Sequence, residues 1–357
     1  MSRQIAQRKA GNGNEAKRAA AGRLIGTAQK YAAKFMELGE EKIEGIVRGQ
    51  KPGRLVVFPS VGMARIGIPP VMNGVEPGNV FTVSCMENGE LDDVAMGSLF
   101  YGFKHLGIRE VSLHGSRDVV GELREGMEGN FGKFGISIGT YVYKAGEGGL
   151  SVHFTEAPKK KGGKPEGYIP TGSFAEPGEI EAVIVDCSDS RVMTYQVFKG
   201  HNVAVVSNAG NMLSPTAQEA INLLVGEVSA VIMFAHSDCG SVGAFLNGND
   251  EAQLAAIMEI LGGNIPASKR LVQKDAEIAN VLFSAGMLAG MENEISGKHD
   301  AAGLAALSSL ILREGPVVVP AYLGLRNGEV RDLSPSSMSN EAEAPKKRSP
   351  SGKRRLC

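Results

Sequence analysis

Two short apolar runs that stop on metal-capable residues constrain this chain more than any other feature. VIVDCSDSR (183–191) and VIMFAHSDCG (231–240) each read as a buried strand ending on polar groups. Cys187 closes the first run; His236 and Cys239 close the second. In an open parallel sheet, functional groups gather beyond the carboxyl ends of the strands, so residues far apart in sequence can meet there. Two thiolates and one imidazole form a three-ligand zinc set that leaves a fourth tetrahedral position open, as a catalytic zinc requires. The H-x-x-C spacing alone is a weak signal, because buried cysteines and a satisfied histidine are ordinary core features. Asp189 and Arg191, just past Cys187, strengthen it by placing a charged pair within reach of whatever fills the open position.

Bulk properties exclude several alternatives. The chain has 357 residues, 43% hydrophobic and 22% charged, enough for two domains with ordinary cores. A formal net charge of −1 gives no whole-chain electrostatic case for nucleic acid or membrane, and no apolar run approaches spanning length. The basic N-terminus lacks the apolar core of a secretory signal, so a cytoplasmic location is expected, with organellar targeting by that basic stretch as the alternative. Four cysteines are too few for a disulfide framework and suit a metal or catalytic role.

The order of elements repeats. VFPSVGMAR65, PGNVFTVSCMENG89, DVAMGSLFYGFKHL106, EVSLHGSRD118 and ISIGTYVYKAGEGGLSV lie under VIVDCSDSR191, GHNVAVVSNAGN211, TAQEAINLLVGEV228, VIMFAHSDCG and VVVPAYLGLRNGEVRDL. Five segments in one order, at an offset drifting only from 126 to 122, point to an internal duplication. The expected organisation is a disordered basic N-terminus (1–15), a first repeat (16–157), a Lys/Gly/Pro-rich linker (158–180), a second repeat (181–334) and a disordered basic tail (335–357). Apolar runs that do not alternate imply a parallel-cored α/β sheet flanked by helices in each repeat. The second repeat carries a long helical stretch, roughly 251–314, that the first lacks.

CSDSR, NAGN (208–211) and AHSDCG closely resemble the β-class carbonic anhydrases, over most of 181–334 and more weakly over 24–157. The resemblance implies a zinc enzyme that interconverts CO2 and bicarbonate, with Zn2+ on Cys187, His236 and Cys239. It implies that Asp189 orients the attacking group and that Arg191 holds Asp189. It also implies a dimeric active form, which a tandem copy supplies as a covalent pseudo-dimer, with a homo-oligomer of such units expected. Gln196, Asn208, Ala209, Gly210 and Gly240 are the expected pocket residues. In the first repeat Val61, Met63 and Arg117 stand where Cys187, Asp189 and Cys239 stand, and only Arg65 and His114 survive, so a single metal site per chain is expected. Ser207 replaces the Arg usual before NAGN, and the loop after Arg191 is shorter than its counterpart after Arg65; both bear on pocket shape. The alternatives are a hydrolase of CS2 or COS on the same fold and a non-catalytic scaffold that binds bicarbonate.

Overall fold

A computed structural model of the chain describes residues 2–66, 78–146, 149–156, 179–192, 194–266, 271–288 and 315–334. The expected linker and basic tail fall outside the described residues, apart from the linker's last two positions and its boundary. The N-terminus departs from expectation: helix α1 runs Ser2–Met36 rather than starting near Ala16. Its first turns are rich in Gln, Ala, Arg and Lys, all good helix formers, so low hydrophobicity there does not prevent helix formation.

After α2 (Glu40–Val47) come β1 (Arg54–Pro59), α3 (Ser60–Arg65), β2 (Val80–Cys85), α4 (Asp93–Lys104), β3 (Glu110–Gly115), α5 (Arg117–Phe131), β4 (Ser137–Gly146) and β5 (Gly149–Glu156). The second half follows with β6 (Ala182–Cys187), α6 (Thr194–Val197), β7 (Val203–Asn208), α7 (Pro215–Leu224), β8 (Ala230–His236), α8 (Gly240–Leu246), α9 (Ala255–Asn264), α10 (Gln273–Leu288), β9 (Val317–Gly324) and β10 (Glu329–Asp332). Local chemistry sets the helix starts. Asp92 caps α4 by accepting the Ala95 N–H at 2.7 Å, and Ser214 caps α7 ahead of Pro215.

The strands form two five-stranded sheets, β2-β1-β3-β4-β5 and β7-β6-β8-β9-β10. In each, four strands are parallel and the last is antiparallel. The parallel strands are buried along almost their whole length, as parallel sheets covered on both faces must be. Helices α1 and α2 cross to the second sheet and cover one of its faces, where Leu24, Ala28, Ile43 and Val47 pack on Ile184, Val205 and Phe234. Helices α7 and α10 cover the opposite face.

The two sheets meet along β2 and β7, the edge strands that would otherwise be left unpaired. The Ser84 hydroxyl donates to the Val205 carbonyl and accepts the Ser207 N–H at 2.9 Å. The N–H groups of Gly78 and Thr82 donate to the carbonyls of Ser190 and Ser188. Asp92 joins the halves again: one carboxylate oxygen caps α4 and the other accepts the Thr216 N–H at the start of α7.

The first half differs where the second carries its polar strand ends. Val61 and Met63 are core residues, and Arg117 is exposed at the start of α5. Glu87, aligned with Gly210, accepts the Val61 and Gly62 N–H groups at 2.7 Å each. His114 is buried, stacked on Tyr141 and hydrogen-bonded to the Tyr143 hydroxyl at 2.6 Å. Burial, with a smaller push from Arg54, lowers its pKa from 6.5 to about 3. Between those values the unfolded chain binds a proton that the folded chain refuses. Stability linked to His114 is therefore full above pH 6.5 and drains away as pH falls toward 3. Denaturant unfolding at pH 7 and pH 4.5 should show His114→Gln losing about 3 kcal/mol less than the parent across that interval.

Candidate metal centre

Cys187 and His236 are the last residues of β6 and β8, and Cys239 immediately precedes α8. Strands β6 and β8 are parallel neighbours, so their carboxyl ends open on the same edge. The two Sγ atoms lie 3.9 Å apart, and all three ligand atoms fall within 4.8 Å of one another. Among the described residues this is the one cluster of its kind. The His236 Nδ1–H donates to the Ser237 carbonyl at 2.8 Å, which leaves Nε2 as the lone-pair nitrogen. That Nε2 is fully buried and has no hydrogen-bond partner.

The donor set of the cluster suits a cation. The Cys239 thiol is drawn well below its ordinary pKa by its hydrogen bond with Cys187 and by His236. Cys187 is pushed up, first by that same hydrogen bond and then by burial. Both sulfurs cannot ionise so close together without a positive ion between them. An orphaned buried imidazole nitrogen beside two thiols is the donor set of a zinc site with three protein ligands, and the residues fit the metal.

Asp189 and Arg191 stand beside this cluster, both almost fully buried. The Arg191 guanidinium donates to Asp189 through Nε at 2.8 Å and through a second nitrogen at 2.5 Å, in a fork-on-fork pair. Its remaining bonds reach the Val47 carbonyl at 3.1 Å and the Asp238 carbonyl at 2.7 Å. Burial alone would raise the Asp189 pKa, but opposing influences, led by the hydrogen bonds from Arg191, outweigh it and hold the carboxyl below its ordinary value. Asp189 Oδ2 lies 3.9 Å from His236 Nε2, so the carboxylate is adjacent to the ligand nitrogen without being bonded to it.

A small cavity opens on Cys187 and Asp189, lined also by Ala209, Gly240 and Ser241 from the second half. Its other wall comes from the first half: Gln50, Phe81 and Tyr101. The Gln50 carbonyl oxygen accepts the Ser190 N–H at 3.1 Å and the Ser190 hydroxyl at 3.3 Å, leaving its amide NH2 as the available donor. Tyr101 stacks on Phe81, lies tilted against His105 and presses against the start of α8, so a Cβ at Gly240 would lie 2.7 Å from its hydroxyl oxygen. The ring is held on two sides and cannot yield cheaply. Gly240→Ala should therefore cost most of the activity, and adding Tyr101→Phe should recover part of it; steady-state rates of the parent, single and double variants would show this coupling.

The expected pocket residues divide. Ala209 and Gly240 line the cavity. Gly210 does not, but its φ of 91° turns the chain so that its N–H reaches Cys187 Sγ at 3.3 Å. Asn208 is not a lining residue either. Its side chain braces its own loop, donating to the Met212 carbonyl and accepting the Met212 N–H at 2.7 Å. Gln196 lies on α6, which packs against α1, and is not among the residues lining this cavity. His201 lies outside the site, tying Thr27 of α1 to Glu181. Gln50, Phe81 and Tyr101 have no motif of their own. They reach the cavity because β2 of the first half lies along β7 of the second.

Residues 182–295 match the family model described as carbonic anhydrase. No curated protein matches the chain. Among solved structures it is similar to the β-carbonic anhydrase CcaA, at 19% identity and a TM-score of 0.33 over 44% of this chain and 80% of that one. It is similar to the β-carbonic anhydrase CafA of Aspergillus fumigatus, at 20% identity and 0.34 over 44% and 76%. An apo carbon disulfide hydrolase is also similar, at 13% identity and 0.27 over 46% and 83%. The family match spans the strands that carry Cys187 and His236, and Cys239 with them, so the similarity to carbonic anhydrases lies in the second half of the chain, where the candidate metal centre is.

Proposed function

We propose that the chain catalyses the reversible hydration of CO2 to bicarbonate and a proton at one zinc centre. The observation that carries this reading is the orphaned Nε2 of His236 facing two thiols 3.9 Å apart, with an ionised carboxylate alongside. Zinc on Cys187, His236 and Cys239 would supply an activated water nucleophile near neutral pH. The protein's own groups do the rest. Asp189, kept ionised by Arg191, would accept a hydrogen bond from that nucleophile and orient it toward the cavity. Phe81, Tyr101 and Ala209 give that cavity an apolar wall suited to a small linear molecule without charge. The Gln50 amide, pinned by Ser190, offers a donor to the substrate or product oxygen. Substrate and product are thus CO2 and bicarbonate.

The two halves are proposed to be repeats of one unit, paired within the chain as a pseudo-dimer, with 16–157 as the repeat without metal and 181–334 as the working one. Matching strand order, matching strand sense and the edge-to-edge meeting of β2 and β7 support this. The first repeat then persists because the site needs its wall. Further assembly into oligomers of pseudo-dimers follows the same reading.

Stopped-flow CO2 hydration by the zinc-loaded chain tests the proposal. Turnover well above the buffer rate is expected, and Asp189→Asn should keep the zinc while lowering kcat about 10²-fold or more. A zinc-loaded parent that does not hydrate CO2 at alkaline pH but consumes CS2 or COS would replace this reading. No helix among the described residues is long and apolar enough to cross a membrane.

A further inference from the structure

Helix α10 buries a line of polar side chains in an otherwise apolar setting. Glu277, Asn280 and Ser284 are each at most 2% exposed, and with Gln273 they fall at spacings of four, three and four residues, on one face. Burying carboxyl and amide groups costs free energy unless each is hydrogen-bonded. Their bonds all lead to the metal centre or support a group that does.

The Cys239 peptide is held from both sides. Its N–H donates to Glu277 Oε1 at 2.8 Å, and its carbonyl accepts Gln273 Nε2 at 2.9 Å. Gln273 also donates to Glu277 Oε1 at 3.0 Å, and the Tyr322 hydroxyl on β9 donates to Glu277 Oε2 at 3.0 Å. The carboxyl is thereby fixed in orientation. One turn further along, Asn280 Nδ2 donates to the Gly210 carbonyl at 2.9 Å, and the N–H of that same Gly210 reaches Cys187 Sγ. Asn280 is itself oriented by Asn264 on α9, which donates to its Oδ1 at 2.7 Å and to Ser284 at 3.3 Å.

We infer that α10 is the positioning element of the metal centre, with Glu277 fixing the Cys239 backbone and Asn280 fixing the Gly210 turn against Cys187, so that one rigid helix sets the geometry of both thiols. This rests on the zinc reading given above. The two halves of the chain supply a comparison. Between β3 and β4 the first half has only α5 and a short turn, with no counterpart of α9 or α10, and it is the half whose ligand positions are Val61 and Arg117. The extra helices also hold the cavity wall. Ile257 of α9 packs so closely on α4 that a Cβ at Gly97 would sit 2.9 Å from its Cδ1, and α4 carries Tyr101.

Glu277 and Asn280 touch neither substrate nor the ligand side-chain atoms, so they are positioning residues, and the test must separate geometry from general stability. Zinc affinity would be measured by chelator competition on the full chain, and ligand geometry by the thiolate-to-metal and d–d absorption of the cobalt-substituted chain. Four variants are compared with the parent: Glu277→Ala, Glu277→Gln, Asn280→Ala and Leu288→Ala. The last truncates an apolar residue at the far end of α10 and serves as the stability control. Glu277→Ala and Asn280→Ala should lose about 10- to 100-fold in zinc affinity and show altered cobalt bands. Glu277→Gln keeps a carbonyl acceptor for the Cys239 N–H and should stay close to the parent. Leu288→Ala should melt earlier with affinity and spectrum unchanged. Should Glu277→Ala fail to fold, Asn280→Ala carries the same comparison.

Parent-like affinity and spectra in Asn280→Ala, or in a folded Glu277→Ala, would overturn the inference. So would an equal affinity loss in Leu288→Ala, because metal affinity would then merely follow stability. If the parent itself bound no zinc, the metal reading would fall and this inference with it. Zinc in the parent with no change in the α10 variants would remove this inference alone.

Discussion

Cys187→Ser should leave a folded chain without bound zinc and without CO2 hydration above background. The substitution removes one of two thiolates from a set with only three protein ligands. Losses in outer-sphere partners cost about 10- to 100-fold in metal affinity, and loss of a ligand exceeds that range. The fold should survive, because the Cys187 backbone is held by β7 and serine is the smaller side chain. Far-UV circular dichroism with metal analysis after dialysis separates the two effects: parent-like dichroism with no zinc is the expected pair.

Arg191→Ala should be the most damaging single change outside the ligands. Arg191 ties Asp189 to the end of α2 through Val47 and to the loop between His236 and Cys239 through Asp238. Truncating one partner of a buried ion pair strands the other charge at a cost of about 3–5 kcal/mol. The Asp189 pKa should then rise, since burial would act without the guanidinium that opposes it. A melting scan should show a large fall in Tm. The double variant Asp189→Ala with Arg191→Ala should regain part of it while remaining inactive. That separation of stability from activity marks the pair as both a structural tie and a working part.

The Cys187–His236–Cys239 cluster was legible in the sequence because Cys187 and His236 end short apolar runs, with Cys239 just beyond, and parallel strands bring such ends to one edge. Strands such as Val80–Cys85 were legible for the same reason: buried parallel strands are written as unbroken apolar segments. The order of strands was readable from segment order, and the two sheets share their strand order and sense. The pocket wall was not readable. Gln50 comes just before a turn and Tyr101 sits on an ordinary apolar helix, and both acquire a role only when β2 and β7 bring the halves together. Gln196 is a polar residue near the site in sequence whose helix packs on α1. Asn208 shows a third limit. A polar residue inside a functional motif can be spent on its own loop, and only its hydrogen bonds to Met212 reveal that.

The central claim is one working metal centre per chain, built by the second half and walled by the first. Zinc counted per chain in the freshly purified full-length protein tests it most directly. The account predicts one zinc, lost in Cys187→Ser and unaffected by His114→Gln. Two zincs per parent chain, or one zinc that survives Cys187→Ser and disappears in His114→Gln, would contradict it.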